Sequence, residues 1–187
     1  TYTNNALTIT PAALGVAVRG TYNGTTSYTN GVNGTGITFT GLVNGETLNG
    51  ATATLANKNV ASNGSNYVTS LVSGTGDAAA SNYQVTYAYN GTAGTGTTNY
   101  ATLTQAAATV TGTPTTLSYN GVMQTQGAAS LSGFVGTDSI TVSGYASGRN
   151  VGSYSSSLIA GGADAGNYSI TYTNNALTIT PAALGVA

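Results

Sequence analysis

A string of 17 residues occurs twice in this chain without a single difference. Residues 1–17 read TYTNNALTITPAALGVA, and residues 171–187 read the same. Residue 1 therefore corresponds to residue 171, which gives a repeating unit of 170 residues. Self-similarity at a fixed period is the sequence signature of a modular array. We therefore expect the chain to hold one repeat of a longer array, with neighbouring identical repeat units of the same chain as its partners.

A more divergent repeat lies inside this unit. Residues 82–87 (NYQVTY) are similar to residues 167–172 (NYSITY), and a Tyr-Asn-Gly motif occurs at Tyr22 and again at Tyr119. The first pair of motifs marks the ends of two modules, and the second pair marks their beginnings. The expected division is the end of a preceding repeat unit at residues 1–17, a first β module at residues 18–106 and a second β module at residues 107–187.

Strand signals cover almost the whole chain. Thr, Val, Ile and Tyr dominate short segments that are punctuated by Gly and Asn, which is typical of β-strands. Eight Asn-Gly dipeptides supply residues that tolerate positive φ in tight hairpin turns. The sequence therefore predicts an all-β fold of tandem small antiparallel modules, β-sandwich-like or β-grasp-like. A β-solenoid is the alternative, but a period of about 20–30 residues is not visible.

Tyrosine must supply most of the aromatic core, because the chain has 13 Tyr, two Phe and no Trp. Side chains alternate between the two faces of a strand, so every second residue of the NYQVTY and NYSITY segments shares one face. The residues expected to anchor the cores are Tyr22, Tyr83, Val85, Tyr87, Tyr119, Tyr168, Ile170, Tyr172, Leu177 and Ile179.

The residues that most catalytic and metal sites require are few or missing. Histidine and cysteine are absent, which excludes a Ser-His-Asp triad and thiolate zinc sites within this sequence. Lys58 is expected to be a surface lysine, and Glu46, Asp77, Asp138 and Asp164 are expected to be solvated loop acids. A calcium site rich in backbone oxygens near Asp77 or Asp164 stays open as an alternative. We expect a protein that is not an enzyme and has no catalytic residue, metal or cofactor.

Charge also limits the partners. The formal net charge is -1, without the clustered Lys and Arg that bind phosphates or anionic lipids, so nucleic acid is not an expected partner. No apolar run approaches the roughly 18 residues that cross a bilayer, so membrane insertion is not expected. Asn-x-Ser/Thr sequons could accept glycans, although a sequence rich in Asn, Gly and Thr produces several by composition alone. These candidate glycosylation sites are Asn23, Asn33, Asn63, Asn90 and Asn167.

Several motifs together resemble a known family. They are Tyr-Asn-Gly-Thr-Thr at 22–26, Tyr-Asn-Gly at 119–121, Gly-Phe at 133–134, Asn-Tyr at 167–168 and Leu-Thr-Ile-Thr-Pro-Ala at 177–182. This combination resembles the YDG and MBG repeat modules of filamentous-haemagglutinin-like bacterial adhesins, with Asn in place of the usual Asp at 23 and 120. The resemblance implies export to the bacterial cell surface or extracellular matrix and a stalk behind a distal binding region. It implies no catalytic residues.

Three functions remain after this reasoning. The first is a structural stalk or spacer repeat of a long secreted adhesin, which provides reach and adhesion without catalysis. The second is a self-assembling subunit of an extracellular or biofilm matrix fibre, because the net charge is near zero and few lysines protect the strand edges. The third is a glycan-binding or surface-binding module, because the 13 tyrosines include rings that could stack on sugars.

Overall fold

A computed structural model describes residues 6–72, 74–76, 78–90 and 98–185 of the chain. The fold is all-β, with short strands and three 3₁₀ helices among these residues. The chain divides into two compact units, Thr1–Thr104 and Gln105–Ala187, which we call unit 1 and unit 2. Asp77, one of the two residues considered for a calcium site, lies outside the described residues.

Unit 1 is organised around its first strand. The strands are β1 (Ala12–Thr21), β2 (Ser27–Thr29), β3 (Gly36–Thr40), β4 (Thr52–Leu55), β5 (Val68–Val72), β6 (Tyr83–Val85) and β7 (Asn99–Thr104), with 3₁₀ helices at Val60–Ser62 and Ala80–Asn82. Strand β1 pairs antiparallel with β3, and it pairs parallel with β6 along its first half and with β7 along its second half. Strands β2, β4 and β5 form a separate antiparallel sheet.

Strand β1 supplies much of the unit 1 core. Its sequence AALGVAVRGT places Leu14, Val16 and Val18 at alternate positions, and all three are buried. Val16 and Val18 pack in one cluster with Tyr28 and residues of β3, β4, β5 and β7, and Leu14 belongs to a second cluster with Tyr83. The strand runs from residue 12 to residue 21, so it crosses the module boundary that the sequence placed between residues 17 and 18.

Unit 2 uses shorter strands. They are β8 (Ala106–Thr111), β9 (Thr115–Ser118), β10 (Gln124–Thr125), β11 (Ser130–Ser132), β12 (Thr141–Ser143), β13 (Ser147–Gly148), β14 (Gly152–Ser155), β15 (Ile159–Gly161), β16 (Tyr168–Thr173) and β17 (Ala176–Thr180), with a 3₁₀ helix at Ala165–Asn167. The sheet orders are β11-β8-β16 and β14-β17-β9, beside the two-stranded sheets β10-β13 and β12-β15. Strands β8 and β9 pair parallel with β16 and β17, respectively.

The two units share a register at their first parallel pair. Ala12 lies opposite Tyr83 in unit 1, and Ala106 lies opposite Tyr168 in unit 2. Beyond this point β1 continues without a break, whereas residues 112–114 separate β8 from β9. Pro114 in this segment has no backbone N–H to donate to a neighbouring strand, which accounts for the interruption.

The strand pairing is mixed, whereas the sequence predicts antiparallel modules. Asn-Gly signals report on local hairpins only, and a parallel pair joins segments that are far apart in the chain. The first strand of each unit forms such pairs with strands near the end of the same unit. The parallel pairs are therefore a correction to the antiparallel expectation, while the all-β class is confirmed.

Half of the expected core anchors are fully buried. Tyr22, Tyr83, Tyr168, Leu177 and Ile179 are each at most 8% exposed. Val85 and Ile170 are half-buried.

Tyr87, Tyr119 and Tyr172 are exposed, which corrects their assignment to the core. Tyr87 follows the end of β6, so the strand alternation that would turn it inward has already stopped. Tyr172 lies on β16, which is the edge strand of its sheet. Tyr119 corresponds in sequence to Tyr22, whose ring is covered by the Lys58 amine at 5.8 Å from the ring centroid.

Candidate functional site

Residues 176–180 of the second copy of the repeated string form a strand, whereas the equivalent residues 6–10 of the first copy do not. Leu177 and Ile179 lie in β17 and are 0% and 1% exposed. The corresponding residues of the first copy, Leu7 and Ile9, are 87% and 84% exposed and lie outside any strand. The same five letters, ALTIT, are therefore a core strand of unit 2 in one place and an unpaired segment in the other.

The second half of the string shows the reverse pattern. Leu14 lies in β1 and is 2% exposed, whereas the corresponding Leu184 is 90% exposed. A hydrophobic residue is thus buried once in each half, in a different copy each time. The string consists of the last strand of one unit followed by the first strand of another.

A proline separates the two halves. Strand β17 ends at Thr180 and is followed by Pro181, and β1 begins at Ala12 directly after Pro11. Proline has no N–H for a strand ladder and restricts the residue before it, so it ends one strand and allows the next to take a new direction. Strands equivalent to β17 and β1 would be joined by this one residue wherever both halves of one string are folded.

The connection between unit 1 and unit 2 is equally short. Strand β7 ends at Thr104 and β8 begins at Ala106, with Gln105 between them. The side-chain amide of Gln105 donates a hydrogen bond from Nε2 to the carbonyl of Gly166 at 3.0 Å, which holds this residue to unit 2. One residue therefore separates the last strand of unit 1 from the first strand of unit 2.

The strands that meet the joints are hydrogen-bonded to the end of the unit. In unit 1 the N–H of Tyr22 donates to the carbonyl of Thr104 at 2.9 Å. In unit 2 the N–H of Tyr119 donates to the carbonyl of Thr180 at 2.8 Å. The two Tyr-Asn-Gly motifs thus lie at the same structural position in their units. At this position the hydrogen bonds to the last strand of the unit end.

A buried tyrosine in unit 1 is held by a carboxylate. The Tyr83 hydroxyl donates to Oε2 of Glu46 and accepts the backbone N–H of Val43 at 3.0 Å. The Glu46 backbone N–H in turn donates to the Val43 carbonyl at 3.0 Å, which closes the turn that carries both groups. The loop at residues 43–46 is therefore fastened to the first residue of β6.

Unit 2 contains the same arrangement. The Tyr168 hydroxyl donates to Oδ2 of Asp138 at 2.5 Å and accepts the N–H of Val135 at 2.9 Å. The ring of Phe134 packs against Tyr168, with the centroids 4.8 Å apart. A hydrogen bond that involves a charged carboxylate is stronger than one between neutral groups. We call these two arrangements the tyrosine–carboxylate pairs.

The sequence interpretation missed these pairs. It treated Glu46 and Asp138 as solvated loop acids, but both are half-buried and each accepts a core tyrosine hydroxyl, which corrects that expectation. A signal was present, because residues 41–46 (GLVNGE) and 133–138 (GFVGTD) share the pattern Gly-x-Val-x-x-acid. Asp164 has a related role, since its Oδ2 accepts the N–H of Ser139 at 2.9 Å.

The candidate glycosylation sites differ in accessibility. Asn63 uses both ends of its amide, with Nδ2 donating to the Leu103 carbonyl at 2.7 Å and Oδ1 accepting the Leu103 N–H at 2.8 Å. Asn167 is buried. A glycan is attached through Nδ2, which is hydrogen-bonded at Asn63 and belongs to a buried residue at Asn167.

The other three candidate glycosylation sites differ among themselves in exposure. Asn33 is exposed in a turn at φ 50°. Asn23 donates from Nδ2 to the Ser27 carbonyl at 3.2 Å, and Asn90 is half-buried and exchanges backbone hydrogen bonds with Asn99. Asn33 is therefore the sequon best presented for modification.

A pocket of about 300 Å³ opens in unit 1. The described residues that line it carry apolar, phenolic and amide groups and no charged side chain. The lining residues are Leu14, Leu48, Leu71, Tyr83, Gln84, Val85 and Tyr87.

The described residues contain no group of three or more His, Cys, Asp or Glu side chains that could hold a metal ion. In the same part of the chain, no helix has the length and apolarity needed to cross a membrane. Comparison with protein-family models, curated proteins and solved structures finds no match for this chain. The resemblance to the YDG and MBG modules therefore depends on the motifs of the sequence alone.

Proposed function

We propose that this chain is a structural repeat of a long secreted bacterial adhesin, in which tandem small β modules form a stalk. One observation carries the proposal. The repeated string ends one unit with its first half and begins another unit with its second half, with Leu177 buried in the one case and Leu14 in the other. A segment of this kind has a use only where units follow one another along a chain.

Short joints support a stalk in particular. One residue separates the strands at Gln105 and one at the proline of the repeated string. A flexible spacer would need a longer segment rich in Gly and Ser or in Pro. A single residue contributes only two soft backbone dihedrals, which is far fewer than a flexible linker has. An array built in this way grows by whole repeats.

The use of charge supports a structural role as well. The chain has only four acidic residues. Among those that the structure describes, Glu46 and Asp138 hold core tyrosines and Asp164 holds a backbone N–H. The carboxylates therefore stabilise loops of the modules.

Secretion to the bacterial surface or the extracellular matrix is part of the proposal and is supported by the family resemblance. It predicts that an antibody against this repeat labels intact cells of the source bacterium, and that protease added outside those cells removes the label. Labelling that requires permeabilised cells would contradict the location without affecting the modular architecture.

Small-angle scattering tests the stalk directly. Proteins with one, two and three repeats are compared, each beginning at Pro11 and ending at the residue equivalent to Thr180, so that no half of the repeated string is left unpaired. The maximum dimension is expected to rise in proportion to the number of repeats at every concentration. Compact particles would refute the stalk. A matched series cut after residue 17 is expected to be less stable, because it separates β1 into two pieces.

Self-assembly into a matrix fibre is the second candidate. Strand β16 presents a sheet edge that carries no lysine, and the formal net charge of the chain is only -1. Unprotected edges of this kind are sites of intermolecular strand pairing. Particles that lengthen with concentration in the scattering series would favour the fibre, and a constant size would count against it.

A further inference from the structure

We infer that each unit is built to resist tension, because the strands at which the chain enters and leaves it form parallel pairs that are loaded in shear. The biological use of this property depends on the proposed stalk. The mechanical property itself belongs to each unit and can be measured on the single chain.

Unit 1 shows the geometry most simply. The chain enters β1 at Ala12 and leaves β7 at Thr104, and these strands pair in parallel from Val16 opposite Asn99 to Thr21 opposite Thr104. In a parallel pair, the start of one strand and the end of the other lie at opposite ends of the ladder. Tension between Ala12 and Thr104 therefore acts along the strands and loads the evenly spaced hydrogen bonds of the ladder together.

Further hydrogen bonds extend this ladder at both ends. The Val16 N–H donates to the Thr98 carbonyl at 2.6 Å, and the Tyr22 N–H donates to the Thr104 carbonyl at 2.9 Å. The hydroxyls of Thr21 and Thr104 are 3.2 Å apart across the pair. The ladder therefore reaches the last residue of the unit, and Gln105 follows at once.

Unit 2 achieves the same with two parallel pairs. Strand β8 lies against β16, and β9 lies against β17, so the chain enters at Ala106 and leaves at Thr180 on strands that are both paired in parallel. The Gly112 N–H continues the first ladder to the Thr173 carbonyl at 2.8 Å.

Side-chain amides bridge the interruption between the two ladders of unit 2. Asn175 donates from Nδ2 to the Gly112 carbonyl at 2.7 Å. Gln126 donates from Nε2 to the carbonyls of Thr113 at 2.9 Å and Asn175 at 3.1 Å. Hydrogen bonds therefore cross between the first and the last strands in the stretch where Pro114 cannot donate.

Two strands that are pulled apart from the same end of their ladder would resist tension only weakly. Where force acts on two strands at the same end of a ladder, the hydrogen bonds break one after another and each contributes separately to the resistance. A long flexible linker would not change the peak force, but it would let the array lengthen before a unit is loaded. One-residue joints at Gln105 and at the proline of the repeated string pass tension straight into the ladders.

Single-molecule force spectroscopy on the full chain tests the inference. The chain has no cysteine, so two engineered cysteines define the points of attachment. Attachment at Thr10→Cys and Gln105→Cys loads the β1–β7 pair in shear. Attachment at Thr26→Cys and Gln105→Cys pulls the same two strands apart from one end. The two proteins share one attachment point and differ only in the other.

The shear attachment is expected to require a severalfold higher unfolding force than the peeling attachment at the same loading rate. Equal forces, or a lower force in shear, would overturn the inference. The result is independent of the scattering test. A high unfolding force in shear together with compact particles in scattering would refute only the stalk. A low unfolding force in shear together with extended particles would refute only the mechanical inference.

A pair of threonine variants provides the second measurement. Thr104→Val removes the hydroxyl pair between the sheared strands, whereas Thr29→Val removes a similar pair with Thr52, at 2.9 Å, between β2 and β4. Both changes remove a cross-strand hydroxyl contact. Thr104→Val is expected to lower the shear unfolding force, and Thr29→Val is expected to leave it unchanged. An equal reduction of the shear unfolding force in both variants would contradict the inference that the ladder between β1 and β7 carries the tension.

Discussion

Two leucines in identical sequence surroundings should differ strongly in how much stability the same substitution costs. Leu177 and Leu7 occupy the same place in the repeated string, yet Leu177 is 0% exposed and Leu7 is 87% exposed. Replacing each with alanine therefore compares two sites with the same neighbours in sequence and different packing. Any difference in stability between the two variants must come from tertiary structure.

The expected magnitudes follow from burial. Leu177 packs in the unit 2 cluster with Ile179 and Ala146, against Leu117 and Tyr154. A Leu-to-Ala change at a fully buried site loses transfer free energy and leaves a cavity, which costs about 2–5 kcal/mol. The Leu7 side chain is in solvent, so Leu7→Ala should change the free energy of unfolding by less than about 0.5 kcal/mol.

A reciprocal pair in the second half of the string strengthens the test. Leu14→Ala should cost about 2–5 kcal/mol through the unit 1 core, and Leu184→Ala should cost less than about 0.5 kcal/mol. The two costly substitutions fall in different units, so they should shift different parts of the unfolding transition. Hydrogen exchange of backbone amides would assign each effect to its unit.

Denaturant unfolding of the full chain, followed by tyrosine fluorescence and circular dichroism, measures these differences. The reasoning is refuted if Leu7→Ala and Leu177→Ala cost the same, because the division of the string between two units would then be incorrect. A large cost for Leu184→Ala would refute the second half of the argument in the same way.

Burial raises the pKa of Tyr28 to about 12 from 10.0, so the stability of the wild-type chain should be complete below pH 10 and fall by up to about 3 kcal/mol as the pH rises through 12. Tyr28→Phe should remove this loss in unfolding measured against pH, and an unchanged pH profile would contradict the assignment. Gly148→Ala should cost about 1–3 kcal/mol because its Cβ would lie 2.2 Å from the Tyr154 ring, whereas Gly136→Ala meets nothing within 4 Å and should be neutral in denaturant unfolding. Tyr168→Phe should cost about 2 kcal/mol in the same assay through the lost hydrogen bond to a carboxylate, and a neutral result would show that the bond contributes nothing.

Local sequence patterns predicted the local features of the fold. The strand composition gave the all-β class, and the alternation in the NYSITY segment and the repeated string correctly placed Tyr168, Leu177 and Ile179 in the core. The alternation pattern wrongly assigned Tyr87 and Tyr172 to the core. It assumes that the strand continues and that it has a neighbouring strand on each side. Strand β6 ends before Tyr87, and β16 lies at a sheet edge.

The tyrosine–carboxylate pairs were beyond local reasoning. Glu46 and Tyr83 are 37 residues apart, and Asp138 and Tyr168 are 30 apart. A scattered acid in a Gly-rich loop has the composition of a solvated turn, and only the chain topology brings it to a particular hydroxyl. Aligning the two units would have shown an acid three residues after a valine in both, but a conserved spacing still does not name the partner.

The two joints lead into different surroundings. In the proposed array, the two halves of the repeated string would enter copies of the same two cores in every repeat. The internal joint leads into a different core: Ala108 lies in the register position that corresponds to Leu14. The lost volume is matched nearby, because Phe134 stands where unit 1 has Leu42 and its ring packs on Tyr168.

The loop that carries Phe134 lies close to the backbone of β8. A Cβ on Gly133 would lie 3.1 Å from the Ala108 Cα, so the loop that carries Phe134 runs directly against β8. A leucine at position 108 would have to fit beside this loop, and a core at native density tolerates little extra volume. We therefore expect unit 2 to accept a leucine at position 108 only if the loop that carries Phe134 changes with it.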